Sequence, residues 1–124
     1  MSWIDDTIAE FGMSMNIPGM AFNHHGVVSL NIEKVGAVLI EKSECDVLVL
    51  MLRPFPQFAE DVCRRALDLC HYKNNPPFPV STGLKREELL AFIMRIPERA
   101  FTLQAIESSL EYLAKLHEAA GSAC

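Results

Sequence analysis

The sequence predicts a two-layer α+β domain: a mainly antiparallel five-stranded sheet with three helices, in the order α-β-β-β-α-β-β-α. Three observations carry this prediction. Apolar residues recur with helical period near both ends of the chain and once in its middle. Between these segments lie five shorter apolar runs bounded by Gly, Pro, Asn or charged residues, as strands are. The first three runs are joined by a few residues only, too few for a crossover helix, so neighbouring strands pair antiparallel. The chain has 124 residues, 50% of them hydrophobic and 22% charged, which is one domain's length with enough apolar side chains for a core.

The first helix is expected over 2–15. Ser2 can cap it, Asp5 suits its first turn, and Ile4, Ile8, Phe11 and Met15 fall on one narrow face. Asn16-Ile17-Pro18-Gly19 ends it, because Pro18 disfavours a helical residue before it. Strands follow over 27–33, 36–41 and 45–52. In the first, Val28, Leu30 and Ile32 share one face and Ser29 and Asn31 the other. The third is apolar on both faces from Val47 to Leu52, which marks a central strand covered on both sides.

Arg53-Pro54-Phe55-Pro56 closes that segment, and a second helix is expected over 57–71. Its apolar positions, among them Phe58, Val62, Leu67 and Leu69, spread over roughly 180° of the circumference, where a core-facing stripe needs only about 100°. The surplus implies a second contact. A short strand is expected over 78–82, at an edge because Pro79 cannot donate to a ladder, then a turn over 83–88. A strand over 89–96 is again apolar on both faces. Thr102 caps a last helix reaching 120, with Leu103, Ile106, Leu110, Leu113 and His117 in heptad-like spacing. Residues 1–120 read as one domain and 121–124 as a tail.

Helices on one face of such a sheet leave the other face of the third and fifth strands apolar. Monomers rarely expose a large apolar patch, and each fully buried Leu or Val contributes roughly 1.5–3 kcal/mol. The sequence therefore implies a dimer, a protein that binds an apolar segment, or both. Five methionines, Met13, Met15, Met20, Met51 and Met94, suit such a surface, and an edge strand could pair with an extended peptide.

Other function classes find little support. With 16 acidic against 11 basic residues and a net charge of -5, the chain lacks the basic stripe of a nucleic-acid or anionic-membrane binder. No apolar run reaches the roughly 18 residues of a membrane span, and the first residues do not resemble a signal peptide, so a cytosolic location is expected. Cys45, Cys63, Cys70 and Cys124 form no C-x-x-C pair and read as small apolar side chains with one tail thiol. His24-His25 precedes the first strand and has no assigned role; His71 and His117, near helix ends, read as surface or capping residues. Neither a zinc-ligand spacing, a nucleophile elbow nor a phosphate-binding loop occurs. No enzymatic activity, metal or cofactor is expected.

Several of these features resemble one family, the class I chaperones of bacterial type III secretion, and within it the SycN type. The opening Met1-Ser2-Trp3-Ile4 leading into Phe11 and Ile17-Pro18 is similar to that type. So are the strand from Leu48 that exits at Arg53-Pro54, and the junction Ile96-Pro97-Glu98 to Phe101-Thr102-Leu103. The resemblance implies a cytoplasmic bacterial dimer without ATPase activity. It would hold an N-terminal segment of a secreted effector or gatekeeper extended and export-competent, paired with a second small chaperone or with itself. It places the dimer interface on Ala59, Cys63, Ala66, Leu67 and Cys70 with Phe78 and Val80. It places the client on an apolar patch of Ile8, Phe11, Val28, Leu30, Ile32 and Leu39. The alternative from residues alone is a small α+β dimeric scaffold or regulatory protein with no secretion role.

Overall fold

A computed structural model describes residues 3–32, 36–54, 64, 66, 67, 76–85 and 89–121. Helix α1 spans Trp3–Ser14, then come β1 (Val27–Ile32), β2 (Gly36–Lys42), β3 (Asp46–Pro54), β4 (Val80–Lys85) and β5 (Leu89–Pro97). A 3-10 turn, Glu98–Ala100, leads to helix α2, Leu103–Gly121. Of the helix expected over 57–71, only Arg64, Ala66 and Leu67 fall among the described residues, and all three are helical. Its other positions, with Ala59, Cys63, Cys70 and His71, lie outside them.

The five strands form one antiparallel sheet in the order β1-β2-β3-β5-β4. The expected architecture of helices against an antiparallel sheet holds. Strand β3 is central, and its side chains alternate strictly between faces. Val47, Val49 and Met51 point to the helices, beside Ile96, Met94 and Phe92 of β5 and opposite Ile40 and Val38 of β2. Helices α1 and α2 close this face with Ile4, Ile8 and Phe11, and with Ile106, Leu113 and Leu116.

Helix ends follow local chemistry. The Thr102 hydroxyl accepts the Ala105 N–H at 3.1 Å, so it is the N-cap of α2 as expected. At the end of α1, the Ile17 N–H reaches the Gly12 carbonyl (2.7 Å) and the Asn16 N–H the Met13 carbonyl (3.1 Å). Asn16 has φ 61. This pair of bonds with a left-handed residue is a Schellman motif. The stop is thus made by Asn16, two residues before Pro18. The chain then folds back so closely that a Cβ on Gly12 would stand 2.5 Å from the Met20 Cβ.

Strand β4 departs from the expectation. Expected over 78–82, it runs from Val80 to Lys85 and takes in part of the expected turn. The Pro79 carbonyl accepts the Arg95 N–H at 3.0 Å, but Pro79 has no N–H to return, so the ladder starts one residue later. Once started it continues through Gly83 to Lys85, because β5 offers partners as far as Leu89.

Candidate functional site

The apolar surface divides by sheet face. Val28, Leu30 and Ile32 of β1 sit on the helix face, Val28 buried and the other two half-buried against the core. Ile8 and Phe11 of α1 lie behind them at 0% and 1% exposure, so they meet no solvent. Leu39 belongs to the opposite face. The register pairs it with Ser29, the outward side of β1, and the short β1–β2 connection fixes that parity. The expected client patch is therefore split: five residues on the helix face, two of them with accessible surface, and Leu39 on the reverse.

Leu39 joins a second apolar cluster there. Leu50, Leu52 and Ala91 are buried, with Ala37, Leu39, Leu48, Leu89 and Ile93 half-buried around them. The period-2 pattern of β3 and β5 points to this face, but only the register shows which residues meet on it. Strands β1 and β4 are the sheet's edges. Beside β1, Lys42 Nζ lies 4.5 Å over the Phe22 ring and 2.7 Å from Asp5 Oδ1, tying β2 to α1.

Of the expected interface residues, Ala66 is fully buried and Leu67 is 64% exposed. Phe78 and Val80 are half-buried against the helix-face core. Phe78 also lines a shallow cavity of about 270 Å³ with Pro77, Ala100, Thr102, Gln104, Ala105 and Ser108.

The polar candidates sort differently from the expectation. His117 is no surface cap but a core residue, as its place on the apolar face of α2 would have it. Its Nε2–H donates to the Met51 carbonyl at 2.6 Å, and its ring meets Phe92 edge-on at 4.8 Å. Burial holds its pKa below the ordinary histidine value; the Met51 bond opposes this, and the charge of Arg53 adds to it. The Ser109 hydroxyl, also fully buried on α2, finds no hydrogen-bond partner among the described residues. Cys45, expected as a small apolar strand residue, is exposed in the turn before β3. His24 and His25 are exposed, their rings 3.9 Å apart. Among the described residues no group of three or more His, Cys, Asp or Glu could hold a metal ion, and none of their helices is long and apolar enough to cross a membrane.

The family model of the type III secretory system chaperone SycN matches residues 3–120. The chain belongs to this family. The resemblance carried by the sequence holds over nearly the whole chain, and its function is that of a type III secretion chaperone.

Solved structures agree on the fold of the chaperone. It is similar to a chain of the HopA1–SchA chaperone–effector complex, with a TM-score of 0.74 and 15% identity, covering 94% of this chain and 92% of that one. It is similar to a chain of the ExsC–ExsE complex, with a TM-score of 0.72 and 16% identity over 91% and 86%. A third similar structure is the Yersinia pestis type III secretion chaperone SycH in complex with a stable fragment of YscM2, with a TM-score of 0.66 and 15% identity over 94% and 98%. No curated protein sequence matches the chain significantly.

Proposed function

We propose that this chaperone binds an N-terminal segment of a secreted effector or gatekeeper and keeps it extended and export-competent. The observation that carries the reading is the family match over residues 3–120. The mechanism is binding, not turnover: no bond is made or broken, and the chaperone acts without enzymatic activity in the bacterial cytoplasm. A held segment contributes backbone groups to a sheet edge and apolar side chains to the surface beside it. Leu30 and Ile32 of the edge strand β1 are the contact residues of the helix face, and Ile8, Phe11 and Val28 hold them in position from the core. Leu39 serves the opposite face. Ala59, Cys63, Leu67, Cys70, Phe78 and Val80 form the interface with a second small chaperone or a second copy, and Ala66 supports it from the core.

Similar folds occur in the HopA1–SchA chaperone–effector complex and in the heterodimeric complex ExoU–SpcU from a type III secretion system (TM-score 0.59, 16% identity). The test is affinity purification of the tagged chaperone from its own bacterium. A larger secreted protein should co-purify, and deleting that protein's N-terminal segment should abolish capture. Recovery of the chaperone without any secreted protein, under secreting conditions, would contradict the reading.

A further inference from the structure

The outer face of α1 is left over by this account. Trp3, Asp6, Glu10 and Met13 stand at i, i+3, i+7 and i+10, one stripe directed away from the buried Ile4, Ile8 and Phe11. The stripe is about 15 Å long. Trp3 is 50% exposed, Met13 65% and Ile17, in the turn beyond, 40%. Among the described residues the only other large apolar side chain so exposed is Leu67.

Ile17 is held in this position. Its N–H is locked to the Gly12 carbonyl, and in a Schellman motif a residue there usually packs on the side chain at the Gly12 position. Glycine has none, so Ile17 stays at the surface in a fixed place.

The charges are equally particular. Asp5 is paired with Lys42. Asp6 and Glu10 have no cation within reach among the described residues, and they lie between the apolar ends of the stripe. The pattern apolar, acid, acid, apolar complements a helix that carries two cations between two apolar side chains.

We propose that the outer face of α1 docks a cationic amphipathic helix of a protein partner, with Trp3 and Met13 taking the apolar side chains and Asp6 and Glu10 the cations. This surface is separate from Leu30, Ile32 and Leu39, so it does not depend on where the client lies. A half-exposed tryptophan is a frequent anchor of protein contacts, and the acids would set the sign of this contact and its salt dependence.

Trp3 is the single tryptophan of the chain, so its emission reports on this face directly. The probe is a helical peptide of Ala and Gln carrying Leu-x-x-Lys-x-x-x-Arg-x-x-Leu on one side, titrated into the purified chaperone. It should shift the Trp3 emission to the blue and saturate. The analogue with Gln for Lys and Arg should bind about tenfold more weakly, and the analogue with Glu should not bind. Asp6→Lys with Glu10→Lys should weaken the cationic peptide about tenfold or more, whereas Glu107→Lys with Glu111→Lys, the same charge change on α2, should leave it within about twofold. Because Asp6 also supports the first turn of α1, Glu10→Lys alone serves as a second variant and should weaken binding about threefold. Absence of a blue shift, equal binding of the Gln analogue, or an equal effect of the α2 reversals would overturn the proposal.

Discussion

The two faces of the sheet are written in the same alphabet and end in different states. Toward α1 and α2, Val47, Val49, Met51, Phe92, Met94 and Ile96 all have 0% exposure. On the reverse, Leu50, Leu52 and Ala91 are buried, but Leu39, Leu48, Leu89 and Ile93 around them are only partly so. Side chains of equal hydrophobicity have thus nearly exhausted what burial can give on one face and keep apolar area to hide on the other. The face packed by helices makes the fold. The half-covered face and the β1 edge are the surfaces that the proposed client holding would use.

The contrast can be broken most sharply at neighbouring residues of β5. Phe92→Ala, on the helix face, should cost about 3–5 kcal/mol in chemical denaturation. Ile93→Ala, one residue on and half-buried on the reverse, should cost no more than about 1.5 kcal/mol. Equal losses would mean that both faces are core.

Gly12→Ala probes the fold-back that closes the helix face. The new Cβ would meet Met20 Cβ at 2.5 Å and the Ile17 carbonyl at 2.7 Å. A melting experiment should show a loss of about 1–3 kcal/mol, against the usual gain of such a change in a helix. Thr102→Ala removes the cap that starts α2 and should cost about 1 kcal/mol by the same measurement.

Among the described residues, the helix face also carries one polar group, His117, whose titration burial opposes. His117 in the unfolded chain takes up its proton near 6.5, while the folded protein resists protonation to lower pH. Between those two values the unfolded state binds more protons, so stability falls as pH falls below 6.5 and is unaffected by this group above it. The charged group facing it is Arg53. In His117→Gln, the pH dependence of the melting temperature between 7 and 5 should flatten; an unchanged profile would assign it to other groups.

Much of this architecture is legible in the residues themselves. The alternation in β1 places Val28, Leu30 and Ile32 on one face, and the unbroken apolar run of β3 identifies a central strand with two faces to cover. Thr102 announces the start of α2. The edge strand β4 is legible over 80–82 but its extension to Lys85 is not, because Gly83 is a turn residue by composition and 83–85 become strand only through pairing with β5. The Schellman stop at Asn16 hides behind the more conspicuous Pro18. Leu39 lies on the other side of the sheet from its expected companions because parity across a hairpin depends on its connection, which a sequence pattern does not specify. Residue type suggests a surface role for His117, although its spacing puts it on the apolar side of α2. The candidate site is the least legible part: periodicity gives faces, whereas access depends on what packs against each face. Ile8 and Phe11 lie on an apolar helix face, a pattern that a core and a binding stripe share, and they are core.

The measurement closest to the central claim separates folding from client holding at one residue. Leu30 is half-buried on an edge strand, in contact with the core but accessible. Leu30→Asp should leave a folded chaperone with cooperative melting, and the secreted protein that co-purifies with the unaltered chain should be lost. A folded Leu30→Asp variant that retains this client at full yield would contradict the account.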